Sequence, residues 1–195
     1  TVETNLVQPS TGTTLTLGAA SDTIDIPSGA TLDVTGATVT GLSAGKVLQV
    51  VSSMYKGTNS TSSSSMTSTG LEATITPSAT SSKILIMTSF AMAATGDAGV
   101  WVQLFKGSSV ISGSLADVQG SRLQASVGCS YSGGEAKCFN YLDSPSTTSA
   151  TTYKLMYAYS PGRPSSTIYM NLMATTDANY HSTSPATMIL MEIEG

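Results

Sequence analysis

Hydrolysis of a glycosidic bond needs two carboxylates a few ångströms apart in a groove. The candidates are Asp97, Asp117, Glu135, Asp143 and Asp177. Each lies near a turn signal, where a lone acid caps or solvates a chain end. Nucleophilic acyl chemistry needs a base beside its serine, and His181 is the one histidine in 195 residues. No Gly-x-Ser-x-Gly elbow occurs, and Ser-rich composition supplies no nucleophile by itself. One His builds neither a triad nor a zinc site. It reads as a loop residue, the other arrangement being a ring of three His181 side chains around a threefold axis, able to hold an ion. The spacing therefore predicts no catalytic set, no metal site and no cofactor.

Recognition chemistry fits the residue types better than catalysis does. Tyr131 falls in a turn, and Asp177, Asn179, Tyr180 and His181 share the loop before the last apolar segment. Loops carry recognition more often than strands do, so these five form the candidate ligand-facing surface; packing of each tyrosine within its own loop is the competing reading. Trp101 lies on the opposite side of its segment from Val100, Val102 and Leu104. It either stacks on a sugar or packs at a subunit contact, where Trp is enriched, and the contact is favoured because the apolar final strand already requires a doubly covered sheet. Cys129 and Cys138 flank a Ser132-Gly133-Gly134 turn signal. Two reduced thiols and a cross-strand disulfide both remain open for this pair.

The segments that must position these residues are strands. Ala186 to Gly195 is apolar on both sides: Met188 and Leu190 point one way, Ile189, Met191 and Ile193 the other. Such a strand is covered on both faces. One cover is the opposing sheet, and the other is a second layer or another copy of the chain; if a copy, Ile189, Met191 and Ile193 are the candidate contact. Glu192 and Glu194 mark where the strand reaches water. Lys46 to Met54 is apolar on both faces in the same way. Between them Leu71–Ile75, Ile84–Met92, Val100–Phe105, Val110–Ile111, Tyr153–Tyr159 and Ile168–Leu172 read as further strands. Arg122–Val127 and Lys137–Leu142 read as a hairpin about Gly133-Gly134. Thr58 to Thr69 is a Ser/Thr tract read as a loop, and its Asn59-Ser60-Thr61 sequon carries no weight alone. Turn signals at this spacing predict an antiparallel, jelly-roll-like β-sandwich over residues 45–195, with its first and last strands adjacent and central.

Upstream the texture changes. Residues 1–10 are an unpatterned connector. Over residues 11–44, pairs of apolar residues two apart precede glycine turns: Leu15/Leu17, Ile24/Ile26 and Leu32/Val34. Such short strands cannot bury a face alone, whereas stacked or intertwined copies can. The expectation is a short β-helical or triple-stranded fibre shaft with these six residues at the trimer contact. Two ordinary edge hairpins are the alternative.

Composition agrees with an all-β chain and limits its partners. Charged residues make up 10%, far below the usual quarter, and the net charge is −4. The eight Lys and Arg are scattered from Lys46 to Arg163. No basic patch exists for a phosphate backbone, so nucleic acid is not an expected partner. No apolar run reaches the length of a membrane helix, so no membrane insertion is expected. A chain that opens on Thr1 reads as the processed or C-terminal part of something longer.

The segments Gly45-Lys46-Val47-Leu48-Gln49-Val50-Val51, Gly70 to Ser78 and Ser81-Ser82-Lys83-Ile84-Leu85-Ile86 resemble the C-terminal domains of tail fibres and related virion proteins of marine tailed bacteriophages. Thr152–Leu155, Ser166–Asn171, Asp177-Ala178-Asn179 and Thr187–Ile193 continue the resemblance. It covers roughly Gly45 to the C-terminus and rests on strand and turn texture, not on a catalytic signature. It implies a homotrimeric virion appendage, assembled in the host cytoplasm beside other tail proteins. Its tip would meet a host cell-surface molecule, with glycan as the default. A purely structural virion part, such as a capsid spike or tail-assembly component, is the second expectation. A polysaccharide depolymerase is the third. The resemblance transfers no ligand residues.

Overall fold

The computed structural model describes residues 25, 27–31, 33–35, 45–95, 99–130, 134–160, 166–172 and 182–195, with the side chains of 129 and 130 excepted. The chain divides into two compact units, Thr1–Leu42 and Ser43–Gly195. In the first unit the Pro27–Gly29 signal forms a turn, with Ala30 N donating to Pro27 O at 3.0 Å. Gly29 takes φ 87°, which the third position of a type II turn requires. Val34 is exposed. Leu15, Leu17, Ile24, Ile26 and Leu32 lie outside the described residues.

The second unit is a sandwich of two antiparallel sheets. Its strands are β1 Val47–Tyr55, β2 Asn59–Thr61, β3 Thr67–Ile75, β4 Lys83–Ala94, β5 Gly99–Lys106, β6 Ser109–Val110, β7 Val127–Ser130, β8 Glu135–Asp143, β9 Thr151–Tyr159, β10 Ile168–Met170 and β11 Ala186–Ile193. The six-stranded sheet runs β1-β11-β4-β10-β2, with β8 on the other edge of β4. The twelve-residue β4 carries two strands end to end on one edge: β11 pairs with Lys83–Ser89, and β10 with Met92–Ala94. The five-stranded sheet runs β3-β9-β5-β6, with β7 also on β5. There β7 and β6 share the edge of β5 opposite β9.

Alternation in sequence becomes alternation in burial. In β3, Leu71, Ala73 and Ile75 face inward while Glu72 and Thr74 face water. In β9, Tyr153, Leu155 and Tyr157 fill the interior. Ile84 and Ile86 of β4, Val102 and Leu104 of β5, and Met188 and Leu190 of β11 close the same core. Each such aliphatic side chain contributes roughly 1.5–3 kcal/mol on leaving water.

Four sequence expectations are corrected. Strand β1 lies beside β11 as expected, but at a sheet edge and not centrally, because it pairs only with β11. The Ser/Thr tract is not all loop. Asn59–Thr61 pairs with β10, and Thr67–Gly70 begins β3. Hydroxyl and amide side chains replace apolar packing there: Thr61 and Thr67 share a 3.3 Å bond, and Asn59 Nδ2 donates to Ser68 O at 3.1 Å. The hairpin of Arg122–Val127 with Lys137–Leu142 does not form. Strand β7 pairs with β5 in one sheet and β8 with β4 in the other, where β8 gains a ladder from Ile84–Asp143 to Met92–Glu135. Cys138 is accordingly opposite Ser89, exposed and free. The fourth correction is Glu192, which is fully buried.

Glu192 and Asp143 sit in one cross-strand row, Gln49–Glu192–Ile84–Asp143, on the inner side of the six-stranded sheet. Each is a structural anchor. Asp143 Oδ2 accepts from Lys106 Nζ at 2.9 Å and from the Tyr153 hydroxyl at 2.6 Å, tying β8 to β5 and β9 across the sandwich. Burial pushes the Tyr153 phenol far above its ordinary range, and its bond to the Asp143 carboxylate adds to the shift. Tyr153→Phe is expected to lower unfolding free energy by about 1–3 kcal/mol, since it leaves a charged acceptor short of one donor. Urea denaturation measures this, and an unchanged midpoint would contradict the anchor role.

Candidate functional site

Two surfaces of the sandwich stand out, one on the outer side of each sheet. On the six-stranded sheet the outward side chains form cross-strand rows. One row is Val50–Met191–Leu85–Leu142, and the next is Ser52–Ile189–Met87–Asn140. Val47 and Ile193 continue the band at one end, bordered by Lys83. Met54 and Thr187 continue it at the other, beside a recess of about 340 Å³ formed with Ser52, Ser53 and Ile189. Val47, Val50, Met54 and Leu142 are exposed, Val50 at 56%. Ile189, Met191 and Ile193 are half-buried, whereas Met188 and Leu190 on the other side are fully buried. Strand spacing and rise make this band about 14 Å by 20 Å. Beta-branched and long apolar residues stand here in register, where a solvated sheet face would carry Lys, Glu and Thr.

The other surface lies over the five-stranded sheet. Trp101 faces outward from β5, while Val100, Val102 and Leu104 face the core as the alternation predicts. Its cross-strand neighbours are small: Ala158 on β9 and Gly128 on β7. Residues Ser112–Ser126 form a strap along β5. Gln103 Nε2 donates to Gln124 O at 2.9 Å, Ser126 N to Val102 O at 2.9 Å, and Gln124 Nε2 to Ala116 O at 2.9 Å. Ser114 Oγ and Ser126 Oγ lie 2.8 Å apart, and Ser126 Oγ accepts from Leu104 N. Strap and sheet together enclose a cleft of about 510 Å³ lined by Gly99, Val100, Trp101, Arg122, Leu123, Ala125, Gly128 and Ser160. Trp101 Nε1 is buried without a hydrogen-bond partner among the described residues, an uncommon state for an indole.

The placement of Trp101 separates it from the final strand. Ile189, Met191 and Ile193 face out from the six-stranded sheet, and Trp101 from the five-stranded one, because β5 pairs with β9 and not with β11. A second cover over the final strand therefore says nothing about the indole. Sequence reasoning named Trp101 but missed Arg122 and Gly128. Arg122 was read into a strand, and the signal that it sits in a loop was Gly120-Ser121 immediately before it. Tyr131, Asp177, Asn179, Tyr180 and His181 lie outside the described residues.

The acids do not make a hydrolytic pair among the described residues. Glu135 and Asp143 stand at opposite ends of β8, roughly 26 Å apart by strand rise. Glu135 is engaged by Lys137 at 2.7 Å, Asp143 by Lys106, and Asp117 is exposed in the strap. No group of three His, Cys, Asp or Glu side chains among the described residues is placed to hold a metal ion. Comparison with known proteins finds no family model that matches the chain and no curated protein significantly similar to it.

Proposed function

We propose that this chain is the trimeric shaft-and-tip part of a virion appendage, resembling a tail fibre, that attaches the particle to a host cell surface. The observation that carries the reading is the apolar outer face of the six-stranded sheet. A strand apolar on both sides needs two covers, and the sandwich supplies only one to β11. A neighbouring copy, meeting Val50, Ile189, Met191 and Leu142, is the cover that a homotrimer provides. Three tips held together raise a weak single-site affinity through effective concentration.

The strand order also fits this reading. First and last strands lie side by side, and the chain passes repeatedly between sheets from β3 to β10. Such winding is compatible with the jelly roll that the reading expects, an architecture used in viral capsid and lectin domains. The upstream repeats Leu15/Leu17, Ile24/Ile26 and Leu32/Val34 would form the shaft, and other tail proteins would flank it. Purified protein is expected to bind host cells and to compete with particle adsorption. Trimers that neither bind cells nor compete would overturn the attachment role and leave a structural virion part.

A further inference from the structure

We infer that the cleft between Trp101 and Arg122 is a binding site for a carboxylate-bearing saccharide. Part of the lining is made by residues without side chains. Among the described residues, a Cβ added at Gly128, directly across from Trp101, would meet nothing within 4 Å. One added at Gly99 would meet the Ser160 Cβ at 3.5 Å. The space beside the indole is thus open at these two glycines. At about 510 Å³ it matches the size of small-ligand pockets.

The chemistry of the walls selects the ligand. Trp101 is half-buried, and its one polar side-chain atom, Nε1, is the part turned away from solvent. What the indole presents is carbon surface with a negative π face. The polarised C–H face of a pyranose ring docks on such a surface. Arg122 supplies the charge. No carboxylate pairs with it among the described residues. Its one bond there, Nη1 to Gln119 O, is at the 3.5 Å limit. A guanidinium with free donors binds a carboxylate in two parallel hydrogen bonds. Leu123 and Ala125 close the apolar side. A nucleic acid is disfavoured by one cation in a chain of net charge −4, and a purely apolar ligand would leave Arg122 unmatched.

Trp101 is the only tryptophan in the chain, so its emission reports on the cleft alone. Purified full-length chain is titrated with a hexasaccharide containing uronic acid and with its carboxyl-reduced, neutral counterpart. The acidic sugar is expected to change Trp101 emission saturably. Arg122→Gln is expected to weaken it roughly tenfold to a hundredfold, the loss of a charge-assisted pair, and to leave the neutral sugar's weaker binding unchanged. Gly128→Val, with an unchanged circular dichroism spectrum, is expected to abolish both. Emission that does not respond to either sugar, or an acidic preference that survives Arg122→Gln, overturns the proposal. Equal binding of acidic and neutral sugars overturns the role of the charge. The inference rests on the attachment reading only for where such a sugar would come from. Failure of this titration with adsorption competition intact would remove the cleft and spare that reading.

Discussion

Met191→Glu is expected to convert the proposed trimer to monomers while leaving the sandwich folded. Met191 lies in the middle of the row Val50–Met191–Leu85–Leu142, half-buried in a single chain and pointing away from the core. In one chain its glutamate would reach water beside Lys83 at little cost. In the trimer, three carboxylates would be pressed into apolar contacts without partners. Each such burial costs several kcal/mol, and the sum exceeds what a contact of ordinary size retains. Light scattering should report a mass near 19.9 kDa in place of about three times that value. The far-ultraviolet dichroism should stay close to that of the parent, while the denaturation midpoint falls by what assembly contributes and no longer depends on protein concentration. Trimers that persist in the variant would place the contact elsewhere and remove the argument from the final strand.

Glu192→Gln is expected to destabilise the fold by roughly 3 kcal/mol. The carboxylate is fully buried at the end of β11. Burial alone would raise its pKa. Hydrogen bonds outweigh that: Ser78 N and Oγ and Ser82 Oγ donate to Oε1 at 2.6–2.7 Å, and Gln49 Nε2 to Oε2 at 2.6 Å. The net result holds the group down at about 2. A carboxyl depressed in the folded state stabilises the fold at pH values above its unfolded pKa, ordinarily 4.5. That contribution is lost as pH falls from about 4.5 toward about 2. The parent should therefore lose stability through this window, and the glutamine variant should not share that part of the loss. Denaturation midpoints at pH 7, 4.5 and 2.5 test it. A constant gap between parent and variant across the series would show that the ionised carboxylate is not what anchors the strand.

Glu192 also shows where local pattern misleads. A glutamate after an apolar run reads as the strand's exit into water, because charged side chains are rarely buried. Its partners Ser78, Ser82 and Gln49 are 110 to 143 residues away in the chain. Nothing in Met-Glu-Ile-Glu announces them. The same distance effect misplaced the hairpin around Gly133-Gly134. Two apolar segments flanking a glycine turn pair by default, yet β8 takes a long ladder on β4 and β7 a short one on β5, in separate sheets.

Arg122 belongs to that class as well. The Trp101 side of the cleft was legible, since alternation along Val100–Phe105 already turns the indole away from the core. The Arg122 side depends on how the strap Ser112–Ser126 is pinned, through Gln103, Gln124, Ser114 and Ser126. These are uncharged side chains with no periodicity, so no spacing rule reveals their bonds.

Period-two alternation is a local property, and it determined most of the strands within residues 45–195 and, for the one-sided strands, which side is buried. In β3, β5 and β9 the inward residues are those the pattern selects. Even the double-sided character of Ala186–Ile193 was written there, and with it the demand for a second cover. Pairing is not local. Which strands share a sheet, which carboxylates are caged and which loop folds over the tryptophan are set by contacts many residues apart. Only the tertiary structure decided those, because a strand's edge hydrogen bonds are the same whatever its sequence and go to the partner the whole sandwich makes available.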